Sequence, residues 1–430
     1  MANPTLAMIP SGYKAGKVYS VLPVNGDGDF STFTRASQAT RLNNAGFIET
    51  VDANVPRLDY TNGGCPVLLL ENQKVNNLTY SEDFNNWTKL NITAATNTTM
   101  SPNGDLSADT ITRNSTAASY VSKTFAKEDE DSFEMTLSIF VKKNVGDFFA
   151  MRAQGTYPNR VDTLFQFSTE TFTSSEAGNN FSFISASFKK YANNWYRLDV
   201  SFETDEAATL TSLFSPRSVS GSVDSNDSVA NSSVFIWGAQ CEYENLSSYI
   251  KTTTSAQTRI KEICKDSGNS VLFGGNGSTM FVDLQKSFKD KSNGQISISD
   301  SSTSNRVVIG KQTNNSQFKL FISRDNGNIV AEITTNIDFD VRNKIAISWE
   351  VNNFKFYVNG FLIHTDTSGG IPINLNAFAF NGSNQSLFNF FGEINQVQYY
   401  NSSLQNLEIE KLTSYSSFQK MAESQLCIVQ

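Results

Sequence analysis

KIAISWEVNNFKFYVNGFLIHTD, residues 344–366, decides the fold class. Two stretches of alternating apolar and polar residues flank Asn359-Gly360. That dipeptide is the strongest short signal for a tight hairpin, because both turn positions need φ > 0. Asn352-Asn353 predicts a second tight turn, which makes the segment a three-stranded meander.

The same period of two recurs upstream. SFEMTLSIFVKK (132–143), TLFQFST (163–169), FSFISASFKKY (181–191), WYRLDVSFET (195–204) and SVFIWGAQCEY (233–243) each read as half-buried strands. Loops such as SPNGD (101–105) and SVSGSVDSNDS (218–228) separate strands. This spacing predicts a β-sandwich or jelly roll over 76–262. Residues 263–270 read as a linker, and a second sandwich begins at 271 with TMFVDLQK close behind. Only near the end does the period change. Leu404, Leu407, Ile409 and Leu412 predict a short terminal helix. Residues 1–75 hold short extended pieces between turns, including the Pro-Val-Leu-Leu-Leu run at 66–70, and need a partner surface to bury themselves.

Composition agrees with an all-β chain. Of 430 residues, 39% are hydrophobic and 33 are Phe, which is ample for real cores. Charged residues make up only 18%, and the Asn, Ser and Thr that replace them suit turns and solvent-facing strand positions. A net charge of −8 without a dense Lys/Arg block argues against nucleic acid as a partner. Met1–Pro10 shows no basic stretch followed by an apolar run, and no segment has the length of apolar residues that spans a bilayer. Synthesis and assembly in a cytoplasm, with no membrane insertion, are therefore expected.

Catalytic chemistry was sought in four places. The single histidine, His364, lies on a strand without a visible nucleophile or metal partner and reads as an ordinary strand residue. Glu128, Asp129, Glu130 and Asp131 are consecutive and precede a strand, whereas glycosidase carboxylates must face each other across a cleft. NGDGD (25–29) resembles a calcium loop only superficially, since its sixth and twelfth positions are Phe30 and Ala36. Cys65, Cys241, Cys264 and Cys427 are scattered, without metal-site spacing. No catalytic residue, metal ligand or cofactor is expected, although structural calcium elsewhere in the sandwiches stays open. Trp195, Trp237 and Trp349 sit in strand patterns and read as core, whereas Trp87 is more loop-like. The candidate glycan-binding residues are Tyr157 and Arg160, in the loop QGTYPNR (154–160), where they can stack and hydrogen-bond.

Two sets of segments carry a resemblance. FTRASQATRLNNAGFIETVDANVPRLDY (33–60), CPVLLLENQKVNNLTYSEDFNNW (65–87) and VFIWGAQCEYENLSSYIKTTTSAQTR (234–259) resemble, in this order, a family of phage virion proteins. The family's Gln-Arg/Ala-Thr-Asn-Leu stands here as QKVNNL. WEVNNFKFYVNGFLI, FNFFGEINQVQYYNSSL and LEIEKL are similar to concanavalin A-like, laminin-G-type sandwiches. The resemblance implies a fibre or capsid-decoration protein on the virion surface, nearest to head fibres of crAss-like and other Bacteroidetes phages, with tail fibres second. It further implies other virion proteins as partners through an N-terminal anchor (1–75), a homo-oligomer, and weak contacts with host glycans. Removing residues 1–60 is then expected to abolish attachment while the remainder stays folded.

Overall fold

The computed structural model describes residues 2–10, 16–61, 64–127, 133–286, 294–311, 318–335, 337–338, 341–385, 388–417 and 419–421. The protein is all-β, built from antiparallel sheets, with a short α-helix at Asn406–Thr413. The expected acidic run at 128–131 and Cys427 lie outside the described residues.

The chain forms two compact units: residues 1–38, 51–72 and 260–430 make the first, and 39–50 and 73–259 the second. In the first unit, an eight-stranded sheet runs Phe361–Asp366, Asn353–Val358, Asn343–Glu350, Gly277–Lys286, Gly392–Tyr400, Val67–Leu70, Arg57–Asp59, with Leu6–Met8 also paired to Gly392–Tyr400. A seven-stranded sheet runs Phe30–Thr34, Ile263–Ser267, Ala377–Ala379, Gln295–Ser299, Arg306–Lys311, Phe318–Arg324, Asn328–Thr335. Side chains from both sheets, among them Met280, Val282, Ile347, Ile298 and Ile309, form one core.

The deciding hairpin folds as its residues require. Asn359 and Gly360 both adopt positive φ, 52° and 90°, and Val358 pairs with Phe361. The preceding turn is shifted by one residue from expectation: Glu350 pairs with Asn353, so Val351 and Asn352 form the turn, with Asn352 at φ 58°. Ile345, Ile347 and Trp349 point into the main core. Ala346 faces the other way and is buried with Phe281, Tyr357, Tyr400, Leu404 and Ile409. The terminal helix thus covers the outer face of the sheet. Leu407, expected on its apolar side, is exposed instead.

The expected division at 75 and 262 is not the one the chain makes. Leu6–Met8, Phe30–Thr34, Arg57–Asp59 and Val67–Leu70 are strands of the two sheets that hold the C-terminal sandwich, and Leu6, Phe30, Leu68 and Leu70 lie in its core. Residues 263–270 are not a linker, because Ile263–Ser267 pairs with Phe30–Thr34. The physical reason is visible in three fully buried charges. The Arg35 Nη1 donates to Glu262 Oε1 at 2.8 Å. The Arg57 Nε and Nη2 grip the same carboxylate at 2.9 and 2.5 Å, and its Nη1 reaches Glu71 at 2.7 Å. The remaining Arg35 donors go to the Ser37, Val51, Asp52 and Val55 carbonyls. Burial alone would lower the Arg57 pKa, but Glu262 and Glu71 outweigh it and raise it.

The second unit packs two six-stranded sheets. One runs Ser182–Tyr191, Trp195–Glu203, Glu134–Val145, Ser233–Tyr243, Leu106–Arg113, Ile92–Met100; the other runs Thr171–Ala177, Arg160–Gln166, Phe148–Gln154, Thr209–Arg217, Tyr120–Ala126, Thr88–Leu90. Their inward residues, such as Leu137, Ile139, Phe149, Met151, Phe165 and Phe214, share one core. Trp87, at a bend just before the strand Thr88–Leu90 and thus loop-like in backbone, still puts its side chain into this core, 5.0 Å from Phe84 and 5.6 Å from Phe214 between ring centroids. All four tryptophans are buried.

Glu262→Ala leaves two guanidinium groups buried without their shared counter-charge. It should cost about 3–5 kcal/mol in urea unfolding of the full chain. A loss below about 1 kcal/mol, the range of an exposed pair, would contradict this role. Deleting residues 1–60 removes three strands of the first unit, Leu6–Met8, Phe30–Thr34 and Arg57–Asp59, and both arginines, so it should unfold the first unit rather than leave it intact, as circular dichroism and proteolysis will show.

Candidate functional site

The loop 154–160 joins Phe148–Gln154 to Arg160–Gln166 and is tied down at its base. Asp205 accepts from the Thr156 backbone N–H at 3.0 Å and from the Asn159 amide at 2.8 Å. Its carboxylate comes so close that a Cβ on residue 155 would stand 2.2 Å from it, which is why glycine occupies that position. The Arg160 Nη1 donates to the Pro158 carbonyl at 3.1 Å, and its Nε to Asp162 at 3.1 Å. Asp162 is gripped in turn by Arg152, which also holds Asp224 with two bonds of 2.8 and 2.9 Å.

Tyr157, 71% exposed, stands at the tip with the Arg160 guanidinium 5.5 Å from its ring centroid. Its loop is therefore ordered while its aromatic face meets water. Both sequence-predicted residues are brought together here. A tyrosine held in this way can stack on the apolar face of a sugar ring at little conformational cost.

Sequence reasoning missed a second feature of this unit. A cleft of about 360 Å³ is lined by Thr40, Ile48, Glu49, Thr50, Glu82, Asn103, Asp105, Trp237, Tyr249 and Lys251. Trp237 and Tyr249 form an aromatic pair with ring centroids 4.6 Å apart. The Trp237 Nε1–H is buried and has no acceptor among the described residues. The Tyr249 hydroxyl donates to Glu82 at 3.0 Å, and Lys251 pairs with the other Glu82 oxygen at 2.7 Å. Burial pushes the Tyr249 pKa well up, so it stays neutral. Every carboxylate in this cleft is engaged: Glu49 by Arg41 and Asn43, Asp105 by Asn103. The signal was present, since Glu82, Trp237, Tyr249 and Lys251 all fall in the resemblance segments. However, positions 82 and 251 are joined only by the fold.

Glu82 and Lys251 also border a neighbouring cleft of about 430 Å³, in which Asp109 is buried. Burial raises the Asp109 pKa to about 6, against the opposing pull of backbone N–H donors from Asn97 at 3.0 Å and Phe84 at 2.8 Å.

The remaining sequence candidates fall to structural roles. His364 lies beside Phe356, with ring centroids 5.8 Å apart. In NGDGD, the Asp27 N–H donates to the Asn25 side chain at 3.1 Å, while Asp29 pairs with Lys17 at 2.6 Å and accepts from the Ser20 N–H. Among the described residues, no group of three His, Cys, Asp or Glu side chains is placed to hold a metal ion. No described helix is long and apolar enough to cross a membrane.

No family model matches the chain, and no curated protein does. Solved structures similar to it are mostly sandwich modules. The CBM40 module of Ruminococcus gnavus IT-sialidase, bound to α2,3-sialyllactose, is 15% identical with a TM-score of 0.30, covering 35% of this chain and 94% of that one. Domain 4 of the Geobacillus stearothermophilus arabinanase AbnA, in complex with arabinotriose, is 12% identical with a TM-score of 0.29, covering 40% and 83%. Mouse laminin α1 LG4-5 is 9% identical with a TM-score of 0.22, covering 76% and 96%.

A carboxyl whose folded pKa exceeds its unfolded value binds its proton more tightly when folded. Stability from Asp109 is therefore greatest below the unfolded pKa and falls as pH rises toward 6. The drop should approach 3 kcal/mol, at about 1.4 kcal/mol per pKa unit. Urea unfolding of wild type and Asp109→Asn across pH 4–7 should show their stability difference changing over this window and levelling above it. Parallel profiles would contradict the assignment.

Proposed function

We propose that this chain is a non-catalytic surface protein of a bacteriophage particle, a head fibre or decoration protein, that contacts glycans through its second unit. The observation that carries the adhesive part is the Tyr157–Arg160 loop. An exposed aromatic face beside a guanidinium, fixed from below by Asp205, suits stacking on a sugar ring with hydrogen bonds to its hydroxyls. One such contact is weak. Display of many copies on a particle, as a homo-oligomer, makes it useful.

The virion address rests on the resemblance of residues 33–87 and 234–259. Many polar residues of these stretches build the fold's interior. Asn76 donates to the Ala239 and Ile250 carbonyls, Gln240 accepts from the Ile250 N–H, and Glu242 accepts from Ser247. The likeness is thus one of buried architecture, and it supports a shared structural role rather than a shared ligand. Because residues 1–38 are woven into the first unit, we assign attachment to that folded unit instead of to a detachable arm. Against a depolymerase stand the engaged carboxylates of the first cleft, since glycoside hydrolysis needs an opposed pair free to act.

The full-length protein on a glycan array should bind a subset of glycans. Tyr157→Ala should weaken that binding by about tenfold, the equivalent of one lost aromatic contact. No binding by a correctly folded, multivalently presented protein, or binding unchanged in Tyr157→Ala, would overturn the adhesive reading. Antibody labelling of intact particles tests the address: label on the capsid is expected, and unlabelled particles would refute it.

A further inference from the structure

The outer face of the seven-stranded sheet in the first unit holds a small cavity that plays no part in the reading above. Its origin lies in the ladder. Gln295, Gly310 and Lys319 stand in one row across three strands, Ser297, Val308 and Phe321 in the next, and Ser299, Arg306 and Ser323 in the third. Gly310 contributes no side chain, and a Cβ there would meet the Gln295 Cγ at 2.6 Å. A hollow of about 190 Å³ opens at that point, lined by Gln295, Arg306, Lys319, Phe321 and Ile329.

Two cations share the Phe321 ring. The Arg306 guanidinium carbon lies 5.0 Å from its centroid and the Lys319 ammonium 5.5 Å. Their electrostatic situations differ. Lys319 is neutralised by Glu332 at 2.5 Å. The Arg306 guanidinium forms no ion pair and no hydrogen bond with any described residue, and its Nε is buried without an acceptor among them. Burial alone acts on it and lowers its pKa. Gln295 lines the cavity with its stem, while its Oε1 is turned against Gly382 and buried without a donor among the described residues.

A half-buried guanidinium over an aromatic ring, with no carboxylate beside it among the described residues, lacks the anion that its planar fork matches best. We propose that this cavity binds one anionic group of an acidic polysaccharide, a carboxylate or a sulfate ester, with the anion on the open side of the Arg306 guanidinium. The volume is below that of pockets that enclose whole ligands, so the site takes a group projecting from a chain and leaves the rest outside. It lies in a protein of net charge −8, so it selects by local fit rather than by overall field.

Isothermal titration of the full-length protein with three oligosaccharide sets of equal length tests this. Hyaluronan fragments offer carboxylates, dextran sulfate fragments offer sulfates, and dextran fragments are neutral. Binding of hyaluronan or dextran sulfate is expected, and the stronger of the two identifies the anion. Arg306→Gln should weaken it at least about tenfold with the thermal unfolding midpoint retained. Arg306→Lys, which keeps the charge but loses the fork and the stack, should weaken it by several-fold. Tyr157→Ala should leave it unchanged, which separates this site from the loop of the second unit. Equal binding of the acidic set by wild type and Arg306→Gln, or no binding of either acidic set, would overturn the proposal.

Discussion

The carboxylate of Glu262 is shared between the Arg35 and Arg57 guanidinium groups, all fully buried, and the architecture of the first unit hangs on it. Two arginines far apart in sequence from residue 262 can be buried only where opposite charge and carbonyl acceptors already wait for them. Glu71 supplies the second negative charge, and its own backbone N–H closes back onto Glu262 at 2.8 Å. The four charges balance. Such a cluster adds less net stability than an apolar core of the same volume, but it admits few arrangements. It holds the segments around 35, 57, 71 and 262 in one register, so the strands Phe30–Thr34, Arg57–Asp59, Val67–Leu70 and Ile263–Ser267 enter their sheets together.

This explains which parts of the fold were legible in the sequence. A hairpin such as 353–366 is local, because its turn residues and its alternation are adjacent in the chain. The strands from 134 to 243 announce themselves in the same way. Residues 1–75 carried no such period, and their short apolar runs gave no hint of their partners. Leu68 pairs with Ile394, and Leu6 with Tyr399. Non-local pairing of this kind leaves no trace in a single sequence. The buried arginines were equally opaque, since each looked like an ordinary polar residue between strands. Only the order of the motifs containing them hinted at a common framework.

The sites followed the same rule. Tyr157 and Arg160 could be named because the loop that presents them is seven residues long and contains its own turn chemistry. The cleft beside Trp237 needed Glu82 and Lys251 to meet across 169 residues, and Trp237 was correctly read as core without its unpaired N–H being foreseen. Arg306 lies on the strand Arg306–Lys311, which no sequence motif singles out. Its significance comes from the lack of a carboxylate around it among the described residues, which only the folded neighbourhood reveals.

Native-state hydrogen exchange on the full chain, read by peptide mass, tests the central claim that the N-terminal strands are integral to the first unit. If the account holds, amides of Arg57–Asp59 and Val67–Leu70 open with the same free energy as those of Gly277–Lys286, in one cooperative step. Early exchange of the two N-terminal strands, with Gly277–Lys286 still protected, would contradict it.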